Sequence, residues 1–304
     1  MTGTAASDDG RTNRDDRGDR ADRDDSGRID GVVWIDGVIR DLDDATIAVT
    51  DPGFLLGHGI FETMRAEFDD THPPRALTRH LARLLRSSKI ARVPIPHPID
   101  QLRRATLSIV ERVRSTMPVT DRQFIRVRMT ITAGGHTVIT ALPAPVWPAT
   151  TTLAGVDAPV NEQSPLRGTK TIAHLEETWC RLEAARLGVG EVYRTDTAGR
   201  LAEGSASNLF LVRSGKILTP SLDTGCLAGI TRGLVMEITD VEERADLEPD
   251  DLRHADEAFV TSSTRGVHPV AAIDDRRLDA PGPITTQIAE RYRARLESDP
   301  DPDP

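Results

Sequence analysis

The chain has 304 residues, 38% of them apolar, and a formal net charge of −10. At roughly 150 residues per domain this length predicts two lobes, and the acidic balance argues against nucleic acid or an anionic membrane as the main partner, since both are bound by clustered Lys and Arg. No apolar run is long enough to span a bilayer, and the two cysteines, Cys180 and Cys226, make no C-x-x-C, so a cytoplasmic protein without a disulfide framework or Cys-rich zinc site is expected.

Residues 1–30 are rich in Asp and Arg and hold almost nothing large and apolar, which predicts a disordered tail. The folded part is expected to begin at Val32. VVWIDG and ATIAVTD read as short strands, and GIFETMRAEF as a third after a Gly-rich turn. LTRHLARLLRSSKIARV places Leu77, Leu81, Leu84, Leu85 and Ile90 on one face of an amphipathic helix. IDQLRRATLSIVERVRS predicts a second helix with Leu102, Leu107, Ile109, Val110 and Val113. FIRVRMTITAGG alternates as a half-buried strand does. The Pro-, Ala- and Thr-rich LPAPVWPATTTLAGVDAPVNEQSP marks a junction near residue 150. After it, KTIAHLEETWCRLEAARLG has a helical period through Ile172, Leu175, Trp179, Leu182, Ala185 and Leu187, with Gly188 as the stop. EVYRTDTAGRLAEGSASNLFLVRSGKILTP reads as paired strands with turns at Thr197–Gly199 and Ser214–Gly215. GITRGLVMEI opens a helix, EAFVTSS is a buried strand, GPITTQIAERYRARLES closes with a helix, and DPDPDP at 299–304 is expected to fray. The fold class is α/β or α+β.

Only three of the 38 basic residues are lysines: Lys89, Lys170 and Lys216. Lys89 lies on a polar helix face and Lys216 in a hairpin turn. Lys170 follows the loop QSPLRGTK at an expected helix start, where the helix dipole disfavours a cation. A lowered pKa suits an amine used as a nucleophile, although an exposed helix-start lysine is the plainer reading. Gly229–Arg232 (GITR) leaves free N–H groups of Ile230 and Thr231 at a helix start, a ready anion site. Thr261–Thr264 (TSST) puts hydroxyls at a strand end, and EGSASN places Glu203 before small residues. HLARL carries Arg83, a residue type suited to bidentate phosphate binding, three positions after His80. The eight histidines are scattered without H-E-x-x-H, so no metal site is expected.

The order GFLLGHGIFETMR, HLARL, a loop lysine, EGSASNLF, GITR, then a strand with TSST and HPV resembles the class IV family of pyridoxal-phosphate enzymes. That family includes branched-chain aminotransferases, D-amino-acid aminotransferases and 4-amino-4-deoxychorismate lyase. The resemblance runs from about Val32 to Leu296 and implies a two-lobed fold. A small N-terminal α/β domain (31–150) and a larger C-terminal domain (151–298) would hold pyridoxal 5'-phosphate in their cleft, in a homodimer. By the same resemblance Lys170 would join the cofactor covalently and shuttle protons, and Glu203 would face the pyridine nitrogen. Arg83, Ser263 and the N–H groups of Ile230 and Thr231 would hold the phosphate. Thr264, Arg265, Leu56 and His174 would lie on the substrate side. Leu56, His58, His174 and Ala133 depart from residues common in the family. With Glu62–Thr63 and the look of GCLAGITR and TSSTRGVHPV, they favour a lyase making 4-aminobenzoate and pyruvate from 4-amino-4-deoxychorismate. An aminotransferase of branched-chain or D-amino acids, or a cofactor binder without turnover, are the alternatives.

Overall fold

The computed structural model describes residues 32–68, 71–117 and 123–304, so the tail expected at 1–30 lies outside the described residues. The first sheet has five antiparallel strands in the order β2-β1-β5-β4-β3. They are β1 (Val32–Ile35), β2 (Val38–Asp41), β3 (Gly59–Ala66), β4 (Gln123–Thr132) and β5 (Thr137–Pro145). The strand expected in ATIAVTD is absent; the chain instead pairs at VIRD as β2 and then turns through Leu42–Asp44. Asp51 caps the short helix α1 (Pro52–Leu56) by accepting from the Gly53 N–H at 2.6 Å.

Alternation decides what each face of this sheet meets. Ile125, Val127, Met129 and Ile131 of β4 are buried on one face, beneath α2 (Leu77–Ala91) and α3 (Ile99–Thr116). Those helices bury Leu77, Leu81, Leu84, Leu102, Ile109, Val110 and Val113 against it, while Leu85, Ile90 and Leu107 remain partly exposed. Arg126, Arg128 and Thr130 point to the opposite face, which forms one wall of a broad cleft. On β3 the period places Glu62 on the helix side with Ile60 and Met64, so a carboxylate enters the core.

The second sheet has eight strands and follows the Pro-rich stretch: β6 (Thr151–Gly155), β7 (Glu191–Tyr193), β8 (Asn208–Arg213), β9 (Lys216–Pro220), β10 (Glu242–Arg244), β11 (Glu257–Ser262), β12 (Gly266–Ile273) and β13 (Arg276–Arg277). Their order is β10-β9-β8-β11-β12-β6-β7, with β13 beside β12. The β8–β9 hairpin turns at Ser214–Gly215, both with positive φ, which is why glycine suits the second position. Four helices complete this part: α4 (Leu175–Leu187), α5 (Ile230–Ile238), α6 (Pro249–Arg253) and α7 (Pro283–Ser298). The Glu257 carboxylate receives the N–H groups of Ile284 and Thr285 and so caps α7.

Two further sequence expectations are corrected. Residues 299–304 do not fray: Asp301 accepts from the Thr78 N–H at 2.6 Å and from Arg103 at 2.7 Å, and Pro300 accepts from the Ala76 N–H. Asp301 thereby caps α2, whose own cap position is Ala76 with no side-chain oxygen to offer. Second, α4 starts at Leu175, five residues beyond Lys170. Its expected apolar face also points outward, with Leu175 80% and Leu182 55% exposed, and only Cys180 and Ala184 are buried. Among the described residues no helix is long and apolar enough to cross a membrane.

Candidate active site

Lys170 sits on an extended segment that pairs with the free edge of β3. Phe61 N donates to Lys170 O at 3.0 Å and Ile172 N to Gly59 O at 3.0 Å. The sheet edge, rather than a helix start, therefore fixes the lysine. Its half-buried ammonium lies 4.3 Å from the centroid of the Phe61 ring, over which the Arg128 guanidinium also sits at 3.8 Å. Burial, and then the charge of Arg83, pull the Lys170 pKa down to about 8, with Arg128 adding to the effect and Glu62 and Glu203 opposing it. Desolvation and like charge, rather than a helix dipole, therefore lower the lysine's pKa.

Glu203 stands in the same cleft. Its Oε2 accepts from the Leu227 N–H at 2.9 Å, yet burial pushes the carboxyl up to about 7. Nearby, α5 begins at Gly229 without any side-chain cap, so the first-turn N–H groups of Ile230 and Thr231 have no intrahelical acceptor. Glycine is required there by close approach: a Cβ at Gly229 would come within 2.0 Å of Asn208 Oδ1. Arg83 reaches this corner from α2, its guanidinium donating to Ala228 O at 3.0 Å and to both oxygens of Glu62 at 2.8 and 2.6 Å. Ser263, in the β11–β12 turn, lies 3.1 Å from His80 Nε2, and Thr261 Oγ1 is buried without a hydrogen-bond partner.

This corner fits a phosphate group. It combines an uncapped helix start, a buried arginine, a serine hydroxyl and an unpartnered buried hydroxyl, all lining one cleft. Lys170 and Glu203 line the same cleft, an amine and a carboxyl suited to the aldehyde and ring nitrogen of pyridoxal phosphate.

The four residues expected on the substrate side are placed differently from one another. Thr264 lines the cleft, and its carbonyl accepts from Arg65 at 3.1 Å. Arg265 is pinned, donating to Gly190 O at 3.1 Å, ion-paired to buried Glu191 at 3.5 Å and stacked over Trp147. His174 packs edge-on to Phe61 and pairs with Glu177 at 3.1 Å. Leu56 is 75% exposed at the rim, on α1.

Sequence reasoning missed Arg128 and Glu191, and used Glu62 only as a family motif residue, not as the buried partner of Arg83. That role could have been found from the β3 alternation, which puts Glu62 on the buried face. Glu191 is buried and accepts from the Ser205 N–H and the Ser205 and Ser207 hydroxyls; no local signal marks it. Among the described residues no group of three or more His, Cys, Asp or Glu could hold a metal ion.

A sequence model of the family described as amino-transferase class IV matches residues 59–273. A branched-chain-amino-acid aminotransferase of Pseudomonas aeruginosa is 30% identical over 287 residues, covering 86% of this chain and 92% of the relative. A putative branched-chain-amino-acid aminotransferase of Methanocaldococcus jannaschii is 28% identical over 291 residues, covering 86% and 95%. Among solved structures, the branched-chain aminotransferase of Thermoproteus uzoniensis with norvaline is similar at a TM-score of 0.76 and 28% identity, over 88% of this chain and 95% of that one.

Proposed function

This chain belongs to the class IV aminotransferase family, and from that membership we propose that it is an aminotransferase of branched-chain amino acids. Pyridoxal 5'-phosphate is the family's cofactor. The observation that carries the cofactor-dependent reading is the half-buried Lys170 amine, with its lowered pKa, in one cleft with Glu203 and the uncapped start of α5, an arrangement that serves a transaminase and a lyase alike. The branched-chain substrate rests on the relatives' names. The wall offers matching chemistry: Phe61, Phe124, Leu142 and Trp147 are apolar, and Arg128 beside Lys170 supplies a cation for a carboxylate. These relatives favour the transaminase over the lyase expected from the motifs.

When bound, the cofactor supplies an electron sink for the carbanion formed at the amine-bearing carbon of the substrate. Lys170 Nζ takes the proton from that carbon and returns it elsewhere; a pKa of about 8 leaves a useful neutral fraction near neutral pH. Glu203, raised to about 7, would share a proton with the ring nitrogen. Arg83, Ser263 and the N–H groups of Ile230 and Thr231 would hold the phosphate, and Thr264, His174 and Leu56 would border the substrate. Adding L-leucine, L-valine or L-isoleucine to the cofactor-loaded protein without keto acid should bleach its colour and release the keto acid. Formation of 4-aminobenzoate from 4-amino-4-deoxychorismate with no response to these amino acids would restore the lyase.

The active form is proposed to be a homodimer. Phe54, Leu55 and Leu56 on α1, and Leu175, Trp179 and Leu182 on α4, are exposed apolar side chains that a second copy would cover. Light scattering should give twice the mass of one chain at micromolar concentration; the mass of a single chain would refute this.

A further inference from the structure

The phosphate end of the cleft contains a line of three side chains that the proton transfers above do not use. His80 Nδ1 lies 2.7 Å from Glu62 Oε2, and His80 Nε2 lies 3.1 Å from Ser263 Oγ. Both Glu62 and His80 are 1% exposed. The line runs from inside the core to a hydroxyl beside Arg83 and the start of α5.

We propose that Glu62, His80 and Ser263 form a proton-linked handle for the cofactor phosphate, in which phosphate binding takes up one solvent proton on His80 Nε2. This rests on the cofactor assignment above. Glu62 stays ionised because Arg83 grips both its oxygens, and an ionised carboxylate only accepts. His80 Nδ1 therefore carries a hydrogen, and Nε2 is the position that titrates. With Nε2 bare, the single Ser263 hydroxyl hydrogen is donated to it. Ser263 then shows only lone pairs to its other side, which repel a phosphate dianion. With Nε2 protonated, the imidazolium donates to Ser263 Oγ and the hydroxyl hydrogen turns to a phosphate oxygen. One proton enters from water and no covalent bond changes.

Four groups face His80. Glu62 comes from β3, Arg83 from its own helix, Lys170 from the segment paired to β3, and the Ser263 hydroxyl from the β11–β12 turn. Burial holds the imidazole below its usual range, with Glu62 opposing and the Arg83 and Lys170 charges assisting. It is therefore neutral near pH 7 in the ligand-free protein. A phosphate dianion that takes the Ser263 hydroxyl hydrogen leaves the Ser263 oxygen free to accept from Nε2, so through this hydroxyl the bound pKa exceeds the free one. The affinity gain is complete below the free pKa. As pH rises toward the bound pKa it is lost by up to about tenfold per unit. His80 is a positioning residue in this scheme, acting through Ser263.

The test uses the full-length chain stripped of cofactor and titrated calorimetrically with pyridoxine 5'-phosphate. This ligand carries the phosphate but has no aldehyde to react with Lys170. Two slightly alkaline buffers of different ionisation enthalpy report the protons exchanged. The wild type should take up close to one proton more per ligand than Ser263→Ala or His80→Gln. Ser263→Ala should bind about tenfold more weakly, the worth of one hydrogen bond to a charged group. Equal uptake in the wild type and Ser263→Ala, or wild-type binding without uptake, overturns the handle and leaves the cofactor assignment standing. Failure to bind this ligand, together with failure to colour with pyridoxal 5'-phosphate, overturns both.

Discussion

Lys170→Ala should lower the proposed transamination by roughly 10³-fold or more, because it removes the side chain proposed both to attach the cofactor and to carry the proton. The fold should survive. Lys170 has the Arg83 and Arg128 charges among its neighbours, so deleting its ammonium relieves like-charge repulsion and leaves no buried carboxylate newly unpaired. The cofactor should still bind through Arg83, Ser263 and the start of α5, but without a covalent bond that borohydride can trap. A small amine such as methylamine, supplied in solution, should restore part of the proton transfer. Wild-type capture of the aldehyde should speed up about tenfold per pH unit below about 8 and level off above it, following the neutral amine. A variant that keeps a reducible bond to the cofactor, or turns over at the wild-type rate, would move the reacting amine away from position 170.

Much of this frame is legible in the residues, because local periodicity reports which face is buried. The alternation of FIRVRMTIT sends Ile125, Val127, Met129 and Ile131 inward and leaves Arg126 and Arg128 for the cleft. The period of α2 puts Leu77, Leu81 and Leu84 into the core and, by the same count, His80. The motif order then identifies Arg83, Lys170 and Glu203 as partners although more than a hundred residues separate the first from the last. What local pattern does not report is pairing across the fold. The segment after Lys170 is written with a helical period, but the edge of β3 claims Lys170–Ile172 as extended chain, and backbone hydrogen bonds to an open sheet edge outweigh a weak local preference. The apolar stripe of α4 likewise predicts burial, yet it faces out of a single chain. The acidic DPDPDP end reads as tail because composition cannot show that α2 begins on Ala76 and lacks a cap of its own.

Glu62→Gln should destabilise the protein by about 3 kcal/mol, the low end of the cost of leaving a buried ion-pair partner uncompensated. Glutamine fits the same space but keeps only one accepting oxygen and no charge. The Arg83 guanidinium, donating to both Glu62 oxygens at 2.8 and 2.6 Å, would lose its counter-ion inside the core. Burial raises the Glu62 pKa, but the charge and hydrogen bonds of Arg83, joined by His80, win and take it from 4.5 to about 2. A carboxyl depressed on folding contributes stability that is fully present above pH 4.5 and is lost as the pH falls toward about 2. At about 1.4 kcal/mol per unit, that window is worth on the order of 3 kcal/mol, in agreement with the mutational figure. Denaturant unfolding of the wild type and Glu62→Gln should therefore show a steady gap near neutral pH that closes in acid. A gap that persists at the acid end would mean that the carboxylate charge is not what holds Arg83. Because Arg83 also donates to Ala228 O beside the start of α5, the variant should lose cofactor affinity together with stability. That joint loss would separate Glu62, which orients the arginine, from Lys170, whose removal should cost turnover and leave the fold intact.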